Sequence, residues 1–122
     1  MNYSSRLRRC AREYPFDFWF ENYQEGIGLY SESHCRHLRG IFDDLIEDLI
    51  LLGEEAEEKC KLDEFEVAVR RLNEVRKMNP ALIETMEREE FCELFDVIAL
   101  SSGINPKDYG GGEGVASEWR EW

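Results

Sequence analysis

Between residues 38 and 52, Leu38, Ile41, Phe42, Leu45, Ile46, Leu49 and Leu52 recur at steps of three and one, with Asp43, Asp44, Glu47 and Asp48 between them. That spacing keeps the apolar side chains on one helical stripe and leaves the acids largely off it. Ser31 or Ser33 is suited to accept an N-terminal amide, and Gly53 supplies the left-handed residue that ends helices. A second stripe, Phe65, Ala68, Val69, Leu72 and Val75, predicts another helix, with Met78 near its end. Asp63 with Glu66 resembles a capping box, so its start is expected there or at Glu54.

Asn79-Pro80 reads as the cap and first position of a third helix carrying Leu82, Ile83, Met86, Phe91, Leu94, Phe95 and Ile98, ended by Gly103. The polar run Glu87 to Glu90 leaves open a break near Thr85 into two shorter helices. In the first thirty residues Phe16, Phe18 and Phe20 alternate as in a strand, whereas Phe16, Trp19, Phe20 and Tyr23 fit a helical face. Pro15 followed by Asp17 favours the helix. These patterns predict an all-α single domain spanning 1–122, a bundle of about four to six helices. An aromatic segment (1–30) precedes a helical core (31–102), and a Gly-rich hinge with a Trp-containing tail (103–122) packs back as a short helix.

The hinge places glycines at 110, 111, 112 and 114. A Walker phosphate loop needs Lys-Ser/Thr where Val115-Ala116 stand, and a dinucleotide fingerprint needs a third glycine at Val115. An EF-hand starting at Asp108 would have Gly110 and Gly112 at ligand positions. The loop therefore reads as a hinge. In a short helix Val115, Trp119 and Trp122 share one face, which docks the tail through tryptophan burial.

Composition adds a charge pattern. The chain has 122 residues, 43% of them apolar, and a formal charge of −12 from 27 acids and 15 bases. Between Asp43 and Glu66 eleven acids stand against only Lys59 and Lys61, whereas Arg6, Arg8, Arg9 and Arg12 crowd the start. Like charges so close repel one another, and a basic protein would relieve that repulsion and be steered toward them. The expected recognition surface is Asp43, Asp44, Glu47, Asp48, Glu54, Glu55, Glu57 and Glu58. Arg6 to Arg12 and Arg70 to Lys77 offer a rival, internal neutralisation. Nucleic acid is disfavoured as a partner, because phosphates meet the same field.

No apolar run approaches the length that spans a membrane. The arginines at the start are followed by Glu13, Asp17 and Glu21, not by an export leader's apolar stretch, which points to a cytoplasmic location. Cys10, Cys35, Cys60 and Cys92 contain no C-x-x-C pair and are expected reduced and mostly buried. His34, Cys35 and His37 invite a metal- or cysteine-dependent enzyme as the alternative. Two zinc ligands are then missing locally, and adjacent side chains on a helix diverge. No catalytic residue, metal or cofactor is expected. A homodimer joined through Leu49 to Leu52 is the third reading.

The segments "LIEDLILLGEEAEEK", "LNEV", "ALIETMEREEFCELF" and "SSGINPKDYGGGEGVASEWREW" resemble, in style and composition, small acidic helical bacterial proteins of the toxin-immunity kind. The resemblance implies a non-catalytic protein that neutralises a cognate basic toxin, such as a nuclease, by tight binding.

Overall fold

The structure is a computed structural model covering residues 1–122, entirely helical. Five α-helices run in order: α1 (Tyr3–Arg9), α2 (Phe16–Gln24), α3 (Glu32–Leu52), α4 (Glu58–Met78) and α5 (Thr85–Ser102). A 3₁₀ turn, Cys10–Glu13, links the first two helices. Three more, Pro106–Asp108, Gly110–Gly112 and Val115–Glu118, form the tail.

Local chemistry sets several ends. The Ser31 hydroxyl caps α3 by accepting the His34 N–H at 3.2 Å, and Gly53 closes that helix at a φ of 88°. Gly103, in the left-handed region, closes α5. Two starts differ from expectation. Helix α4 begins at Glu58, so Asp63 and Glu66 lie inside it and form no capping box. Helix α5 begins at Thr85, not Asn79-Pro80, because the capping box belongs to Glu84 and Glu87. Leu82 and Ile83 remain buried, but in the connecting turn, with Ile83 held at a φ of 60°. The Glu87 to Glu90 run is uninterrupted helix; Phe91, Leu94, Phe95 and Ile98 after it are buried, whereas Met86 before it is exposed.

Helices α3 and α4 form an antiparallel hairpin, and α3 also carries α1 and α2. From the predicted α3 stripe, Leu38, Ile41, Phe42, Leu45, Ile46 and Leu49 are buried, whereas Leu52 is partly exposed. Large rings bridge α3 to α5: the Phe42 centroid lies 4.8 Å from Phe95 and 5.5 Å from Phe91. Phe16 and Trp19 of α2 pack edge-on at 5.5 Å, and Trp19 also meets Phe91 at 5.5 Å. Such pairs contribute about 0.5–1.5 kcal/mol beyond area burial. The aromatic N-terminal segment therefore belongs largely to the core, although Phe18 points outward.

The tail folds back as expected but with less helix. From Val115 onward only Val115–Glu118 form a helical turn, a 3₁₀ one, so Trp119 and Trp122 do not continue an α-helical face. Val115 and Trp122 are buried and Trp119 is half-buried. Trp122 meets Phe91 edge-on at 6.0 Å. Asn73 of α4, itself buried, donates to the Trp119 carbonyl at 3.1 Å and accepts the Glu121 N–H at 2.8 Å. Gly114 sits at a φ of 116°, where a Cβ would lie 2.6 Å from Asp96 Oδ1. Glycine there permits both the turn and the close approach. No helix is long and apolar enough to cross a membrane.

Candidate functional site

The eight carboxylates singled out by charge divide into two groups. Asp43, Asp44, Glu47 and Asp48 lie on α3, and Glu54, Glu55, Glu57 and Glu58 lie at or beside the turn into α4. Three have an internal cation. Arg71 reaches Asp44 at 2.8 Å, Arg8 reaches Glu47 at 2.8 Å, and Arg6 reaches Glu54 at 2.9 Å. Asp43 accepts the Tyr14 hydroxyl at 2.8 Å. Partial burial and this carboxylate together push the Tyr14 phenol upward, because its ionised form would meet a negative neighbour. The expectation of eight acids facing a partner is thus corrected for Asp44, Glu47 and Glu54, which internal arginines already neutralise. The three arginines that hold these contacts, Arg6 and Arg8 of α1 and Arg71 of α4, belong to the internal neutralisation that the sequence offers as the rival reading.

Asp48, Glu55, Glu57 and Glu58 form no ion pair. The hairpin register adds two acids that sequence did not include. Glu64, near the start of α4, lies beside Asp48 in the second half of α3, and Asp63 adjoins it. Burial raises the Glu64 carboxyl above its ordinary range; the Asp48 charge, a hydrogen bond with Asp48, and Asp63 raise it further. Burial first, and then the neighbouring acids, disfavour the charged form of Glu64. Glu58 extends the same surface to the tail. The Tyr109 phenol is raised by burial, by a hydrogen bond to Glu58, and by the charges of Glu58, Asp108 and Glu118. Lys59, the exposed base in this stretch, makes no ion pair. The other, Lys61, is buried.

The lysine's burial explains why it does not neutralise the surface. Its Nζ donates to the carbonyls of Glu54 and Ser102 at 2.8 and 2.7 Å and lies 5.2 Å from the Tyr3 ring centroid. Carbonyls and a ring face, not carboxylates, absorb its charge. The side-chain carboxylates at the turn receive no hydrogen bond from it.

The histidine cluster is split by the helix. His34 and His37 line a shallow recess of about 260 Å³ together with Glu74 and Met78. Cys35 turns into the core, where its thiol donates to the Tyr30 carbonyl at 3.5 Å. Burial raises that thiol, with Arg39 opposing and Asp17 adding to the effect, so the nucleophilic thiolate is disfavoured. No three His, Cys, Asp or Glu side chains are gathered to hold a metal. Cys10 is also buried, Cys92 is half-buried and Cys60 is exposed.

The proposed dimer stripe is core only in part. Leu49 is fully buried and Ile50 half-buried, leaving Leu51, at 82% exposure, and part of Leu52 outside. No protein-family model, curated protein or solved structure matches the chain.

Proposed function

We propose that the chain is a non-catalytic binding module that captures a basic protein through the acidic α3–α4 turn. The observation that carries this reading is the group Asp48, Glu55, Glu57 and Glu58. These carboxylates have no internal cation, and Asp63 and Glu64 crowd beside them. Clustered like charges lower the stability of a fold, and a cationic partner reverses that effect on binding. The same field speeds diffusional encounter with such a partner and repels nucleic acid. Internal arginines screen the flanks at Asp44, Glu47 and Glu54, which concentrates the unscreened charge at the turn.

In its narrower form the partner is a cognate basic toxin, neutralised in the cytoplasm, as the compositional resemblance to immunity proteins implies. Affinity capture with the wild-type chain, alongside a variant carrying Asp48→Lys, Glu55→Lys, Glu57→Lys and Glu58→Lys, tests both levels. The reading expects a basic protein retained at low salt by the wild type and lost by the variant. Protection of cells that co-express the captured protein supports the toxin form. Equal retention by the two chains removes the turn from the account.

A further inference from the structure

A second acidic surface, absent from the sequence reading, flanks an apolar groove of about 610 Å³ between the start of α2 and the outer face of α5. Its floor is Pro15, Phe18, Leu94, Val97 and Leu100, and its rim is Glu13, Glu90, Glu93 and Asp96. No cation lines it. Phe18 and Leu100 are each 62% exposed, in a chain whose other rings are largely packed. On α5, Glu90, Glu93, Val97 and Leu100 step by three and four, so they form an outward stripe opposite the core-facing Phe91, Phe95 and Ile98. That stripe covers about three turns, roughly 15 Å.

The rim acids have little internal compensation. None of the four takes part in an ion pair. Glu90 Oε2 and Asp96 Oδ1 are buried without a hydrogen-bond partner. Burial raises both carboxyls. The charges of Glu87 and Glu93 add to the shift at Glu90, against a Trp19 hydrogen bond, and Glu93 adds to that at Asp96, against the Val115 backbone. An apolar trough alone would accept any greasy segment. A trough edged by four carboxylates without ion pairs selects one that brings positive charge on both sides of an apolar anchor.

We propose that this groove docks a short segment of a partner protein in which a leucine or aromatic residue is flanked by lysines or arginines. An extended segment of about five residues spans the floor. Its apolar side chain covers Phe18 and Leu100, and its cations reach Glu13, Glu90, Glu93 and Asp96. The adjoining depression is lined by Arg6, Arg9 and Arg12 and shares Glu13 and Val97 with the groove. Arg6 also bonds Glu54, so this basic strip separates the groove from the α3–α4 turn. The molecule therefore offers a basic partner two distinct contacts, with like charge excluded between them.

This inference rests on the reading of the chain as a binder of a basic protein, yet the two fail separately. A randomised twelve-residue peptide library, selected on the intact protein, probes the groove without the partner's remaining surface. The expected result is enrichment of peptides with a leucine or aromatic residue between basic residues. Phe18→Ser with Leu100→Ser should weaken their binding by at least about tenfold, roughly 1.4 kcal/mol, with the melting temperature checked to show that the fold persists. Glu13→Lys with Glu93→Lys should weaken it similarly, and the four-lysine turn variant should leave it nearly unchanged. The inference is overturned if nothing is enriched, if the enriched peptides carry charge but no apolar anchor, or if the groove variants bind them as well as the wild type. It is also overturned if spermine, a small cation, displaces the peptides from the wild type at equal concentration. Loss of peptide binding in the turn variant alone would move the site to the turn.

Discussion

Lys61 Nζ lies 2.7 Å from the carbonyl oxygen of Ser102, the last residue of α5. Because the same ammonium holds the Glu54 carbonyl at 2.8 Å, one buried side chain ties the α3–α4 turn to the end of α5. A helix C-terminus leaves carbonyls unsatisfied and carries partial negative charge, and a cation answers both. The contact fixes the backbone on which the acidic turn is displayed.

Lys61→Met keeps the length of the side chain but leaves both carbonyls without their donor. The expected loss of stability is about 2–4 kcal/mol, from two buried acceptors at about 1–2 kcal/mol each. Urea denaturation monitored by circular dichroism measures it. A midpoint equal to wild type would mean that water replaces the ammonium without loss.

The tail makes a comparable contribution from the other side of α5. Trp122→Ala removes a buried indole from Phe91 and is expected to cost about 3–5 kcal/mol. Asn73→Ala removes one bond to the Trp119 carbonyl and one to the Glu121 N–H, for about 1–3 kcal/mol. Limited proteolysis should then cut the Asn73→Ala variant first within 103–122, whereas the wild type resists. Cleavage at the same rate in both chains would show that the tail is held by the indole alone.

These contacts mark what could be read from the chain and what could not. The α3 stripe, its Ser31 cap and the Gly53 and Gly103 stops were legible because each depends on neighbours within one or two turns. So was the docking of the tail, since Val115 and Trp122 have no other apolar surface to cover. The start of α4 was not, because the Asp63–Glu66 spacing imitates a cap whose geometry arises only at a true helix end. The partners of Asp44, Glu47 and Glu54 lie 27, 39 and 48 residues away. No local pattern could separate those acids from Glu55, Glu57 and Glu58. Lys61 stands in a run of acids with no local sign of burial and is core, and the α5 groove was invisible because its stripe is half acid and half apolar.

Acidification tests the crowding at the turn. The Glu64 carboxyl is raised in the folded chain, so the native state holds its proton more tightly than the unfolded state does. Its contribution therefore destabilises at neutral pH. The deficit shrinks as pH falls through the raised folded value and is gone below the unfolded value near about 4.3. Glu64→Gln, which never ionises, should be more stable than wild type at pH 7 and should lose that advantage toward pH 4. Asp48→Asn removes one of the charges that raise Glu64 and should relieve part of the same deficit. A constant difference between Glu64→Gln and wild type across this range would mean that the Glu64 carboxyl is not raised in the folded chain.

The most direct measurement is the association rate of the chain with the basic protein it captures, followed by stopped flow across a salt series. Wild type should associate fast at low salt and slow steeply as salt rises. With Asp48, Glu55, Glu57 and Glu58 all replaced by lysine, the rate should fall by at least about tenfold at low salt and lose most of its salt dependence. Rates and salt slopes that coincide for the two chains would contradict the account.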